Sequence, residues 1–253
     1  MSIKLYAMTC GWLTMPLGDI LAGEDGMIRI PVPAYLIDHP KGRILFDSGM
    51  HKTTIDDAHG RLGRQADYFG VEFQAGEDIE ARLNTIDLDV GDVDMLINSH
   101  LHFDHAGGND AIPNSPVVVQ AREWEAGMDA DLAHRNGFDK QDYDTGQDVK
   151  LVDGTHDIFG DGSVTCIPTF GHTPGHQSVL LKLESGEVLL AGDACDLKRS
   201  LENLHLPKYA HDKAEMLASM NQIKALQIRG ARVFYGHDPI FWETISHAPV
   251  AIT

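Results

Sequence analysis

Ser99-His100-Leu101-His102-Phe103-Asp104-His105-Ala106-Gly107-Gly108-Asn109 is the stretch on which the reading of this chain turns. It follows directly on Asp94-Met95-Leu96-Ile97-Asn98, a short apolar run of the kind that forms a buried strand. Along an extended chain, residues two apart face the same way, so His100 and His102 can converge on one metal ion. The chain then turns, and the adjacent Asp104 and His105 can address a second ion. Gly107 and Gly108 permit the tight backbone that such a turn requires. Imidazole nitrogens and carboxylate oxygens are zinc donors at about 2.0–2.2 Å, and sites that leave a position open to water are catalytic rather than structural. Clustering such groups is costly without a cation to hold them, which makes a chance grouping a poor explanation.

Working outward, short apolar runs bounded by turn residues recur on both sides. Residues 3–8, 30–37 and 43–46 read as early strands, the last two joined by His39-Pro40-Lys41-Gly42. Residues 78–86 read as a helix with Ile79, Leu83 and Ile86 on one face, and 117–120 as another strand. In the second half, 164–168 and 178–183 read as strands, and Glu184-Ser185-Gly186-Glu187 turns the chain into a strand at 188–191. Residues 212–228 form the strongest helical pattern, with Met216, Met220, Ile223 and Gln227 at helical spacing and Asp212 as N-cap. A final strand covers 232–235. No repeat or linker divides the chain. The pattern predicts one α/β domain over residues 1–253: a four-layer αββα sandwich, two sheets face to face with helices outside.

Composition narrows the function classes. The 253 residues carry 20 Lys+Arg against 38 Asp+Glu, a formal charge of −18. Such a surface repels phosphate backbones and anionic headgroups, which argues against nucleic-acid or membrane partners. Cys10, Cys166 and Cys195 form no CxxC pair and suit a reducing compartment. The segment MSIKLYAMTCGWLTMP lacks the sustained apolar core of a signal peptide, and no run is long enough to span a bilayer. The expectation is a cytoplasmic enzyme with a small-molecule substrate.

The His100–His105 segment matches the HxHxDH motif of the metallo-β-lactamase superfamily, and the chain resembles that superfamily over nearly its whole length. Gly171-His172-Thr173-Pro174-Gly175-His176 is similar to the next loop, Leu189-Leu190-Ala191-Gly192-Asp193 to the strand ending in a metal-bridging aspartate, and Tyr235-Gly236-His237-Asp238 to the last loop. The resemblance implies His100, His102 and His172 on one Zn²⁺, Asp104, His105 and His237 on a second, and Asp193 between them. Co, Fe or Mn are alternatives to zinc. It also implies attack by a metal-bridging hydroxide, with Asp104 as a catalytic residue carrying a proton to the leaving oxygen. His176 reads as a supporting residue rather than a ligand, and Cys195 as a packed thiol.

Within the superfamily the chain is most like the N-acyl-homoserine lactonases, which open the lactone ring of quorum-sensing signals (quorum quenching). Residues 17–27 fall where those enzymes have a loop over the acyl chain, or are an ordinary surface loop. Dimers are common on the scaffold, so a homodimer is admitted. One departure matters: those lactonases carry a tyrosine three residues after the bridging aspartate, and here that residue is Asp196. Asp196 reads as a substrate contact or as a solvated loop carboxylate, with His205 and Tyr209 as nearby substitutes for the tyrosine. Competing readings are a glyoxalase II-type thioesterase, for which Lys198, Arg199 and Lys208 offer a basic patch, a lactonase for another ring, and an iron-dependent persulfide dioxygenase.

Overall fold

The computed structural model describes residues 2–253. Among these, one sheet contains β1 (Lys4–Pro16), β2 (Met27–His39), β3 (Gly42–Phe46), β4 (Gly70–Glu72), β5 (Met95–Ile97), β6 (Val117–Gln120) and β7 (Val149–Val152), in the order β4-β1-β2-β3-β5-β6-β7. The second contains β8 (His156–Asp157), β9 (Val164–Pro168), β10 (Gln177–Leu183), β11 (Gly186–Leu190) and β12 (Arg232–Phe234), in the order β12-β11-β10-β9-β8.

The two-residue period of a strand sorts its side chains between layers. Tyr35 and Ile37 of β2 meet Val179 and Leu181 of β10, Val188 and Leu190 of β11 and Phe234 of β12 in one buried cluster between the sheets. Their neighbours Ala34 and Leu36 face the other way, toward Ile79 and Leu83 of the Ile79–Asn84 helix. On the far side, Leu189 and Val233 pack against Met220, Ile223 and Leu226 of the Lys213–Ile228 helix. Both faces of both sheets are thus covered, giving the αββα sandwich. As read from the sequence, Asp212 caps the long helix, accepting from the N–H groups of Ala214 and Glu215 at 2.8 and 2.9 Å.

Three elements differ from expectation. β1 and β2 run far beyond residues 3–8 and 30–37, because they pair with each other from Lys4↔Asp38 to Pro16↔Met27. Residues 17–27 are therefore the tip of this hairpin, not a free surface loop; the tip carries the short Leu17–Ile20 helix and buries Ile20 and Leu21 in the outer core. The helix predicted over 78–86 spans only Ile79–Asn84, with Asp78 capping it and Asp87 leaving in a left-handed conformation (φ 57°). Among the described residues no helix is long and apolar enough to cross a membrane.

The site follows from strand direction. β3, β5, β6 and β7 are parallel neighbours, as are β11 and β12. The loops leaving the C-terminal ends of β3, β5, β11 and β12 gather at one edge of the sandwich, where open α/β sheets place their ligands.

Candidate metal centre and active-site cavity

Seven side chains come together at that edge. His100, His102 and His172 with Asp193 form one group, and Asp104, His105 and His237 a second, with ligand atoms in each within 4.8 Å of one another. Two donors each about 2.05 Å from a tetrahedral ion lie about 3.3 Å apart, which sets the distance to look for. In the first group His102 Nδ1 is 2.8 Å from His100 Nε2 and 3.1 Å from His172 Nε2. Asp193 Oδ2 lies 3.7 and 3.4 Å from the same two Nε2 atoms. In the second, His105 Nε2 and His237 Nε2 are 3.3 Å apart and stand 3.5 and 3.7 Å from Asp104 Oδ2. Asp193 Oδ1 is 3.2 Å from His105 Nε2 and 3.1 Å from His237 Nε2. The two oxygens of Asp193 thus face different groups, as a bridging carboxylate must. The spacing and chemistry of the donors fit metal ions.

The remaining ring nitrogens fix the rings, as at metal-binding imidazoles generally. His100 Nδ1 donates to Ser99 Oγ at 2.9 Å, and that hydroxyl donates to Asp47 Oδ2 at 2.8 Å. His105 Nδ1 donates to the same Asp47 oxygen at 2.9 Å, His102 Nε2 to the Asn136 carbonyl at 2.7 Å and His237 Nδ1 to the Pro31 carbonyl at 2.8 Å. His172 Nδ1 is the exception, buried without a partner among the described residues. Its loop is held by the backbone instead, His211 N–H donating to the His172 carbonyl at 3.0 Å.

Electrostatics divides the two groups. Burial, then the charge of His105, pushes His100 well below the usual imidazole range. Burial opposes protonation of His237 too, but the Asp193 and Asp104 carboxylates outweigh it and raise it to about 9. The carboxylates of Asp193 and Asp104 thus favour positive charge at the imidazoles of the second group, a field that also favours a bound cation.

Close packing between loops explains the glycines. Gly107 and Gly108 have ordinary negative φ (−59° and −89°), so the turn itself does not demand them. A Cβ at Gly108 would lie 2.3 Å from the Ser48 carbonyl oxygen; proximity to the β3 loop is the reason. Glu123 ties two further loops together from the Ala121–Met128 helix. Fully buried, it accepts from Leu101 N–H at 3.1 Å and from Gly175 N–H at 2.6 Å, and burial raises its carboxyl to about 7.

Above the cluster lies a cavity of about 250 Å³. His102, Asp104, His172, Asp193, Asp196 and His237 line it together with Leu13, Met15, Ile20, Ile30, Phe69 and Phe103. The exposed Tyr68 and Tyr209 mark its mouth. There Tyr68 OH donates to Asp19 Oδ2, and Lys208 N–H donates to the Asp19 carbonyl at 3.0 Å, joining the hairpin tip to two other segments.

The residues named around position 196 fare differently. Asp196 is not a solvated loop carboxylate: it is 7% exposed, because His237 N–H and Gly236 N–H bond the carbonyls of Asp196 and Cys195 at 3.0 Å and draw this loop under the cavity. Burial, then the charge of Asp193, pushes its carboxyl well above the usual range. Tyr209 reaches the cavity. His205 does not line it; its Nε2 lies 2.8 Å from the Ala22 carbonyl, bracing the hairpin tip. His176 donates or accepts at Thr169 Oγ1 (2.9 Å) behind the cluster, and Cys195 is buried with Sγ 3.4 Å from the Leu197 carbonyl. The three residues of the basic patch are separated: Lys198 and Arg199 line a groove with Met27 and Ile240, and Lys208 lines another with His102, His172 and Tyr209.

Sequence reasoning missed Asp47, Glu123 and the apolar walls. Asp47-Ser48-Gly49 directly after a predicted strand was a usable signal for the first. Glu123 offered none, since a glutamate on a short helix reads as a solvated face.

Comparison with known proteins adds an independent line. The profile of the Metallo-beta-lactamase superfamily matches residues 28–237. The chain is 33% identical to the N-acyl homoserine lactonase AttM of Azorhizobium caulinodans, over 98% of this chain and 97% of that protein. It is 34% identical to an N-acyl homoserine lactonase of Bacillus cereus, over 93% of each. Its structure is similar, at TM-score 0.88 and 28% identity over 100% of both chains, to an N-acyl homoserine lactone hydrolase with the product N-hexanoyl-L-homoserine bound at the catalytic metal centre.

Proposed function

The chain belongs to the metallo-β-lactamase superfamily, and from that premise we propose that it is a lactonase, opening the ester bond of N-acyl-homoserine lactones with two Zn²⁺ ions. The observation that carries this reading is a seven-residue His/Asp cluster, five members of which line a cavity whose wall includes Leu13, Met15, Ile20, Ile30, Phe69 and Phe103, in a chain similar along its length to lactonases of that specificity. Polar groups on the floor suit the ring and amide, and the apolar walls suit the acyl chain.

His100, His102 and His172 would hold one ion, Asp104, His105 and His237 the other, and Asp193 both. Bound there, the ions would polarise the lactone carbonyl and lower the pKa of water to about 7. The protein supplies the rest. Ser99, Asp47, Asn136 and Pro31 orient the imidazoles. Leu13, Ile30, Phe69 and Phe103 exclude water and position the chain of the substrate. Asp104, the member of the second group that lines the cavity with His237, would pass a proton to the ring oxygen as it leaves. The buried, unpaired Cys10, Cys166 and Cys195 suit a cytoplasmic location.

The test is a substrate panel followed by proton release: N-hexanoyl- and N-decanoyl-homoserine lactone, an unsubstituted lactone, a glutathione thioester and a phosphodiester. Turnover of the acyl-homoserine lactones, lost on chelation and restored by Zn²⁺, is expected. Hydrolysis of the thioester with no lactone turned over would replace this reading with the thioesterase one.

A further inference from the structure

Asp196 is a buried carboxyl group with no visible employment. It is 7% exposed, it lines the cavity, and its Oδ1 is buried without a hydrogen-bond partner among the described residues. Among the described residues no Lys or Arg pairs with it; the charges that act on it are those of Asp193, whose oxygens face both groups, and of His237, His105 and Asp104, the members of the second group. A carboxylate oxygen of Asp196 lies with those of Asp193 and an imidazole nitrogen of His237 in a set spanning at most 4.8 Å. Donors on opposite sides of one ion stand about 4.2 Å apart, so Asp196 sits at the edge of the same coordination sphere. A buried carboxyl oxygen with no protein donor is costly to keep, and a cation facing it offsets that cost.

We propose that Asp196 is an additional ligand of the second metal ion, which makes that site carboxylate-rich and distinct from the three-histidine site beside it. This rests on the reading above that the cluster holds two ions. Asp104, Asp193 and Asp196 then offer three carboxylates and His105 and His237 two nitrogens. Oxygen-rich sets favour higher coordination numbers and harder ions than imidazole-rich ones. Three carboxylates against two dications leave a charge of +1 before any water-derived ligand, where two would leave +2. The second ion is held more tightly and is a weaker electrophile than it would be without Asp196.

The test is titration of the full chain, stripped with a chelator, with Co²⁺, recording bound equivalents and the visible spectrum. Two equivalents are expected, the second weakly absorbing, as a five-coordinate ion is. In Asp196→Asn, which keeps the shape and removes the charge, the second equivalent should bind about ten-fold more weakly or worse and absorb more intensely, the first staying unchanged. Asp196→Glu should recover the affinity. Equal second-step affinity and spectrum in wild type and Asp196→Asn would overturn the assignment. If the Asn variant does not fold, an intense four-coordinate spectrum for the second equivalent of the wild type overturns it alone. Fewer than two equivalents in the wild type would instead sink the two-ion reading, and the role of Asp196 with it.

Discussion

An imidazole offers a metal one nitrogen, and the other decides where the ring points. Here Asp47 serves two rings at once, His105 directly and His100 through Ser99. It occupies φ 57°, a backbone conformation an aspartate tolerates better than most residues, so the chain accepts local strain to aim one carboxylate. Asp47→Ala should therefore weaken metal binding or hydrolysis by about 10- to 100-fold although it touches no substrate, as loss of such anchors usually does. Competition with a chromophoric chelator measures this, and unchanged affinity would show that packing alone orients the rings. Asp193 differs in kind, because its two oxygens face separate groups. Asp193→Ala should abolish hydrolysis and leave at most one ion per chain by metal analysis.

At the scale of elements, the site is a set of loops held by clamps. Glu123 joins the loop after β5 to the loop after β9. Burial raises its carboxyl from 4.5 to about 7, with the Gly175 N–H pulling the other way. The folded value lies above the unfolded one, so the fold favours the neutral form. Its contribution is complete below about 4.5 and is lost as pH rises through about 7. Denaturant unfolding of the metal-free chain should show wild-type stability falling across this window relative to Glu123→Gln; a constant difference would refute it. A second clamp, Tyr68 to Asp19, ties the Arg64–Tyr68 helix to the hairpin tip at the mouth of the cavity. Tyr68→Phe leaves Asp19 without that donor and should raise KM for acylated lactones by about three- to ten-fold with kcat nearly kept, the pattern of lost substrate positioning.

Across the whole molecule, one buried edge concentrates five imidazoles and three carboxylates in a chain of formal charge −18. Cations bound there favour the folded state only, and at 1,000 times Kd one site adds about 4 kcal/mol. Since about 1 kcal/mol moves Tm by about 2–4 °C at this chain length, chelation should lower Tm on the order of 10 °C, and Zn²⁺ should restore it. Calorimetry with and without chelator checks this; an unmoved Tm would mean the cluster holds no ion that matters to the fold.

The sequence alone carried the sandwich and four of the clustered residues, while His172, Asp193 and His237 were reached only through the family resemblance of their loops. Both are local: alternation along β10 and β11 shows which residues face inward, and His100-x-His102-x-Asp104-His105 displays its chemistry at short spacing. The full length of the β1–β2 hairpin, the burial of Asp196, the diversion of His205 to Ala22 and the clamps of Asp47 and Glu123 belong to the tertiary structure. Each depends on a partner dozens of residues away or more. Burial of a carboxylate is decided by what packs over it, and nothing in a residue's own neighbourhood along the chain records that.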